Sequence, residues 1–125
     1  MSGFHTNLEE KSLQNDNFRQ VLFTGKHSQL VVMTLLPGEE IGMEQHNDVD
    51  QFFRFELGTG KVIIDGEEFE VSDGSGVVVP AGSVHNVINT STTQKLKLYT
   101  IYSPANHPDK TIHRTKAEAM AAEHD

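Results

Sequence analysis

Short apolar runs, each closed by a turn signal, make up most of this 125-residue chain. Residues 29–36 precede Pro37-Gly38, and residues 62–64 and 69–71 flank Asp65-Gly66. The Asp-Gly pair is typical of two-residue hairpin turns, because both central residues of such a turn take positive φ; Asp73-Gly74 is a second such pair. Similar runs occur at residues 21–23, 77–79, 87–89 and 96–102. Many short strands without helices between them predict an all-β fold, an antiparallel sandwich or barrel.

Helix is expected only near the two ends of the chain. Thr115-x-x-Glu118 has the pattern of a capping box, and the alanine-rich run after it favours helix through residue 122. One helical turn is expected near residues 8–13. The resulting division is an N-terminal arm at residues 1–17, a β-barrel at 18–103, and a C-terminal loop with a short helix at 104–125.

Composition excludes several classes of partner. The formal net charge of −8 argues against nucleic acids and anionic membranes as partners. No apolar run is long enough to span a membrane, and the first residues hold no apolar block of the kind found in signal peptides. The chain has no cysteine, so a metal ion would need histidine, carboxylate or amide ligands. With no signal peptide and no disulfides, we expect a cytoplasmic protein.

Two stretches of the chain carry side chains that bind metals. The first contains Glu44, His46 and Gln51, and the second contains His85. Glu44 and His46 are two residues apart and therefore share one face of a strand.

Strand parity also selects the third polar group of the first stretch. Gln51 has the same parity as three apolar residues that form the expected core face, Phe53, Phe55 and Leu57. Asp50 has the opposite parity. The pattern therefore predicts that Gln51 points inward and that Asp50 is a turn residue.

The spacing of these residues resembles the two motifs of the cupin superfamily. The matching segments are Gly38-x5-Glu44-x-His46-x4-Gln51-x6-Gly58 and Gly74-x5-Pro80-x-Gly82-x2-His85-x3-Asn89. The resemblance covers residues 30–102 or so and implies a small single-domain cupin of the cupin 2 type. Its fold would be a jelly-roll (double-stranded β-helix) barrel with a short C-terminal α-helix. It also implies a divalent metal ion at the barrel mouth, held by Glu44, His46, Gln51 and His85.

Two positions depart from the usual cupin pattern. Position 44 is usually histidine and here is glutamate, and position 51 is usually glutamate and here is glutamine. Together the changes keep two histidines, one carboxylate and one amide. Glu44 is either a metal ligand or a general base beside the metal, and Gln51 is either a ligand or a structural hydrogen-bonding group. Iron, manganese, zinc and nickel all suit such a set.

The function that these features predict is a metal-dependent cupin acting on a small polar metabolite, of sugar or acid type, by Lewis-acid chemistry. As an enzyme it would be an isomerase, a lyase or a dioxygenase. The alternatives are a non-catalytic module that binds a small ligand and a metal-free structural dimer. The label "mannose-6-phosphate isomerase-like", which small cupins often carry, is an analogy at the level of the fold.

Several further residues carry weaker expectations. Phe53, Phe55 and Phe69 are expected in the core, and the outward Phe52 predicts a homodimer. Asn89 is expected to fix a turn. His107 and His113 lie in a loop that either folds over the barrel mouth or is solvated. Four residues would contact substrate only if their strands face the mouth, and are otherwise expected on the solvated surface: Arg54, Lys61, Tyr99 and Tyr102.

Overall fold

The computed structural model describes residues 2–123. In chain order the elements are α1 Leu8–Gln14, β1 Arg19–Thr24, β2 Gln29–Leu35, β3 Glu44–Gln45, β4 Asp50–Leu57, β5 Thr59–Ile64, β6 Glu67–Ser72, β7 Gly76–Val79, β8 Val84–Asn89, β9 Leu96–Ser103, β10 Ile112–His113 and α2 Lys116–Glu123. Neither described helix has the length and apolar character needed to cross a membrane.

The strands form two antiparallel sheets that enclose one core. The larger sheet has the order β10-β1-β2-β9-β4-β7, and the smaller has the order β3-β8-β5-β6. This confirms the predicted all-β jelly-roll barrel with a short C-terminal helix. Side chains from both sheets form the core, together with Phe18 and one residue of α2: Phe18, Val21, Val31, Met33, Leu35, Phe53, Phe55, Val62, Val71, Val79, Val87, Leu96, Leu98, Tyr102 and Ala119.

Along β4, buried side chains alternate with more exposed ones as predicted, but only as far as Phe55. Phe53 and Phe55 are fully buried, as expected, but the pairing of β4 with β9 shifts by one residue between Phe55 and Leu57. A β-bulge of this kind changes the direction of the following side chains. Glu56 is therefore buried and Leu57 only half-buried.

The prediction that Phe69 lies in the core is wrong. Its side chain is 40% exposed. Phe69 belongs to β6, the outermost strand of the smaller sheet, which has a strand neighbour on one side only. Of the six residues in β6, Val71 alone is buried.

The two Asp-Gly turns differ. Asp65 and Gly66 both have positive φ, 49° and 85°, and join β5 to β6 in a tight hairpin, as predicted. At the second pair only Gly74 has positive φ, 88°. That turn joins β6 to β7, which belong to different sheets, so it is a corner and not the predicted hairpin.

Both helices pack against the barrel and begin with a side-chain cap. Asn7 caps α1 by accepting a hydrogen bond from the amide of Glu10 at 3.0 Å. At α2 the Thr115 hydroxyl accepts from the amide of Glu118 at 3.2 Å, and the Glu118 carboxylate accepts from the amide of Arg114 at 3.3 Å. The capping residues Thr115 and Glu118 were therefore predicted correctly. In a capping box the Glu118 carboxylate would accept from the amide of Thr115, whereas here it accepts from the amide of Arg114. Ala119 fixes α2 against the core and is 2% exposed.

Candidate metal centre

Glu44, His46 and His85 converge at one end of the barrel. One carboxylate oxygen of Glu44 and one ring nitrogen of each histidine all lie within 4.8 Å of one another. Glu44 of β3 is the direct partner of His85 of β8, so their side chains share a face. His46 follows β3, and its Nε2 lies 3.6 Å from Oε2 of Glu44. Sequence parity had predicted that the side chains of Glu44 and His46 lie on the same side.

The turn that precedes His85 is bonded to the segment that follows β3. The amide of Gly82 donates to the His46 carbonyl at 2.8 Å, and Gly82 has a φ of 91° that favours glycine. The exposed Asp50 accepts a hydrogen bond from the amide of Ala81 at 2.9 Å. The expectation that Asp50 is a turn residue is wrong, because Asp50 is the first residue of β4. Its side chain instead supports the neighbouring turn at Ala81, and the inner position is left to Gln51.

Gln51 is buried and fixed through its amide nitrogen. Its Nε2 donates to the Thr100 hydroxyl at 3.0 Å. It pairs with Tyr102 across β4 and β9, and the Tyr102 ring lies 6.2 Å from the ring of His46. The tight cluster of possible ligands thus comprises Glu44, His46 and His85, with Gln51 joined to it through Tyr102.

Burial sets the protonation of the cluster. Desolvation lowers the pKa of His46 and of His85, so both rings are neutral at pH 7 and have a lone pair to offer. Desolvation also raises the pKa of Glu44. The Ser83 carbonyl lies 3.3 Å from Nδ1 of His85, where it accepts from that nitrogen in the tautomer that leaves Nε2 free.

Two buried atoms at this site have no hydrogen-bond partner among the described residues. They are Nε2 of His46 and Oε1 of Gln51. An unpaired buried polar atom is unfavourable, because it has lost water without gaining a partner. Both atoms have a lone pair that a cation can accept. The donor set of two imidazoles, a carboxylate and an amide oxygen therefore fits a divalent metal ion.

Tyr102 and His107 also line this end of the barrel. The expectation that Tyr102 lies on the solvated surface is wrong: it is 2% exposed, because it is on the same face of β9 as the buried Leu96 and Leu98. Burial raises the pKa of Tyr102 to about 12, so its hydroxyl stays protonated. Nε2 of His107 lies 3.2 Å from that hydroxyl.

The loop that carries His107 is held against the barrel by Gln29. The Gln29 side chain accepts from the amides of Asn106 and His107, both at 3.1 Å, and donates to the His107 carbonyl at 2.8 Å. Of the two alternatives that the sequence left open, the loop therefore folds back over the barrel. Burial lowers the pKa of His107 to about 3.

Sequence reasoning missed Arg19, which lies at the same end of the barrel as the cluster. It is 2% exposed and lies beside His113, its partner across β1 and β10. No motif includes it, but Arg19 has the same parity as Val21, which is in the core. That parity was the signal that could have identified an inward-pointing arginine.

The remaining candidates lie away from the cluster. Lys61 forms an ion pair with Glu68 at 3.5 Å, and Arg54 forms one with Glu56 at 3.1 Å. Tyr99 packs against Phe52, with ring centroids 6.3 Å apart. Asn89 is buried, and its side chain donates to the carbonyls of residues 35, 36 and 94, which supports its predicted role in fixing a turn.

Comparisons with known proteins agree with this architecture. The sequence model of the cupin domain matches residues 31–102. The uncharacterized protein YrkC of Bacillus subtilis is 52% identical over 126 residues, which cover 96% of this chain and 67% of that protein. An uncharacterized protein of Acanthamoeba polyphaga mimivirus is 45% identical over 110 residues, 85% of this chain and 68% of that one.

A solved structure matches over nearly the whole chain. The crystal structure of the BH2720 protein from Bacillus halodurans is 43% identical and superposes with a TM-score of 0.93. The match covers 96% of this chain and 95% of that one. The added N-terminal and C-terminal elements therefore recur together with the barrel in at least one other protein.

Proposed function

The chain belongs to the cupin domain family, and we propose that it binds a divalent metal ion through Glu44, His46 and His85. Gln51 would complete the set through its free amide oxygen. The observation that carries the proposal is the convergence of two neutral imidazoles and a carboxylate within 4.8 Å, in which Nε2 of His46 has no hydrogen-bond partner among the described residues. We further propose that the barrel mouth binds a small polar metabolite.

The chemistry that such a metal supplies when bound is polarisation of a ligand oxygen, as a Lewis acid. The protein residues fix and prepare the site. Thr100 holds the Gln51 amide with its oxygen free, and the Ser83 carbonyl orients His85. The Tyr102 hydroxyl, protonated because of its raised pKa, is a hydrogen-bond donor at the same end of the barrel.

Glu44 has two roles open to it within this proposal. As a ligand it would bind through the oxygen that faces His46. As a general base it would take a proton from the substrate, and the raised pKa that burial gives Glu44 suits that role better than an ordinary glutamate. An isomerase, a lyase or a dioxygenase could each use such a group.

The direct test is the metal content of protein purified without chelators. We expect close to one equivalent of metal per chain in the wild type and a loss of that metal in the double variant His46→Ala/His85→Ala. The matched control is His5→Ala/His27→Ala, because both of these histidines are exposed. A wild type with no more metal than the His46/His85 variant would refute the proposal.

A thermal-shift screen separates this proposal from the non-catalytic binding module and the metal-free structural dimer. A small ligand that stabilises the protein only when metal is present supports the metal centre, since a ligand that binds the native state raises its melting temperature. Stabilisation that persists in chelator without turnover supports the binding module instead. The homodimer and the cytoplasmic location stay predictions from the sequence.

A further inference from the structure

Arg19 is a buried cation that forms no ion pair within residues 2–123. It is 2% exposed. Its contacts include Nδ1 of His113, 3.4 Å from Nη1, the Tyr102 hydroxyl, and the face of Phe18, whose ring centre lies 5.3 Å from the guanidinium carbon. Its buried Nε has no hydrogen-bond partner among the described residues, so that donor is available to a ligand.

The guanidinium borders a cavity at the barrel mouth. The cavity has a volume of about 180 Å³, and its wall includes Arg19, His107, His113 and Glu123. A second cavity of about 210 Å³ is bordered by Glu44 and, like the first, by Glu123 of α2. The end of α2 thus lies between the space beside Arg19 and the space beside the metal centre.

The charges around the cavity favour a singly charged anion. His107 is neutral at pH 7, because burial lowers its pKa to about 3. Burial also lowers the pKa of His113. Arg19 is then the one permanent cation on the cavity wall, and Glu123 on the same wall opposes further negative charge. A guanidinium binds a carboxylate through two parallel hydrogen bonds, and desolvation strengthens such a pair.

We propose that this cavity binds the carboxylate group of a small organic acid, and that Arg19 is the residue that selects it. The inference rests on the proposed function, since it names the class of metabolite bound at the mouth that also holds the metal centre. It assigns the recognition of the acid to a residue outside the metal ligands.

The test compares lactate with lactamide, its uncharged analogue, at matched ionic strength. We expect lactate to raise the melting temperature of the wild type and lactamide to leave it unchanged. Arg19→Gln should weaken lactate binding in calorimetry by at least about tenfold, because a charge-assisted bidentate pair is lost. Lys26→Gln is the matched control, since it removes one exposed cation elsewhere.

Several outcomes would overturn the inference. They are an equal response to lactate and lactamide, lactate binding that survives in Arg19→Gln, and stabilisation by inorganic phosphate as large as that by lactate. If Arg19→Gln does not fold, wild-type crystals soaked in lactate decide. Carboxylate oxygens within hydrogen-bond distance of Arg19 support the inference, and lactate bound elsewhere contradicts it.

Metal analysis of the same samples separates this inference from the proposed function. Arg19→Gln with normal metal content and no lactate response supports both. A metal-free wild type that binds lactate through Arg19 refutes the metal centre and keeps the carboxylate site. A metal-loaded wild type that ignores lactate refutes the carboxylate site alone.

Discussion

At the scale of single residues, the barrel mouth contains two kinds of buried polar group. Glu44, His46 and His85 offer lone pairs to a cation, whereas Arg19 offers N–H donors to an anion. Because burial removes water from both, each has more to gain from a bound partner than an exposed side chain would. The two kinds of group therefore call for different variants and different measurements.

Glu44→Gln is expected to weaken metal binding. It keeps the size of the side chain but replaces a carboxylate with a neutral amide, which is a poorer ligand. Residues that merely support a metal ligand often contribute 10–100-fold to affinity, so loss of a direct ligand should cost at least about tenfold. Metal titration with a competing chelator measures this. Glu67→Gln, on the exposed edge strand, is the control, and equal affinities for the two variants would show that Glu44 is not a ligand.

His107 is expected to make the metal-free protein sensitive to acid. Its pKa is about 3 in the folded state and near 6.5 when unfolded, so between these values the unfolded chain binds a proton that the folded chain does not. Stability is fully present above pH 6.5 and falls as pH decreases, by at most about 1.4 kcal/mol per pH unit from this group. Between pH 7 and pH 5, the free energy of unfolding measured in urea should fall less for His107→Gln than for the wild type. An unchanged loss would contradict the expectation.

The sequence predicted the possible metal ligands better than the residues around them. Glu44, His46 and His85 lie in motifs with fixed spacing, so their convergence could be foreseen. Arg19 lies in no motif, and although its parity with Val21 marks an inward side chain, its neighbour His113 in β10 is distant in the sequence. Tyr102 has the parity of the buried Leu96 and Leu98, so alternation along β9 was the signal that could have placed it in the core.

At the scale of the elements, the corners between the sheets depend on backbone geometry. Gly58 joins β4 to β5, has a φ of 97°, and lies so close to its neighbours that an added Cβ would come within 2.5 Å of the Lys95 carbonyl oxygen. Gly38 has a φ of 76° but open space around it. Comparing the same substitution at both glycines therefore separates the cost of backbone strain from the cost of a steric clash.

Gly58→Ala is expected to destabilise the protein more than Gly38→Ala. The left-handed conformation costs a non-glycine residue about 1–2 kcal/mol at either position. At Gly58 the contact with the Lys95 carbonyl adds about 1–3 kcal/mol, the usual penalty of overpacking. The free energies of unfolding in urea measure the difference. If both variants lose the same amount, the backbone at Gly58 relaxes freely and the close contact is unimportant.

The conformation of an Asp-Gly turn was predictable only where the turn is held by residues that are adjacent in the sequence. Asp65-Gly66 forms its hairpin with residues that are adjacent in sequence, so the dipeptide was sufficient. Asp73-Gly74 connects two sheets, and the Phe55 carbonyl, which belongs to a distant strand, accepts from the amide of Gly74 at 2.8 Å. Tertiary contacts of this kind decide the turn type and are invisible in the dipeptide.

At the scale of the whole molecule, the outer face of the larger sheet carries an apolar stripe. Phe52 pairs with Val78 on one side and with Ile101 on the other, and Val78 is 64% exposed. Phe52 and Ile101 are half-buried, so the accessible part of the stripe is centred on Val78, and accessible apolar patches are typical of protein interfaces. The stripe supports the homodimer that Phe52 predicted from the sequence.

Val78→Glu is therefore expected to convert a dimer into a monomer. It places a charge on the most exposed residue of the stripe without changing the core, because Val78 points away from it. Light scattering at micromolar concentration gives the mass of each variant. Glu67→Gln again serves as the control on an unrelated surface, and a wild type that is already monomeric would refute the dimer.

The position of Arg19 has a consequence for how such proteins diversify. Arg19, His113 and α2 all lie outside residues 31–102, which match the cupin domain, whereas the possible metal ligands lie inside. The metal centre and the acid site that we propose would then be inherited from separate parts of the chain. On that assignment, exchanging the flanking segments between relatives would transfer selectivity for an acid and leave the metal ligands in place.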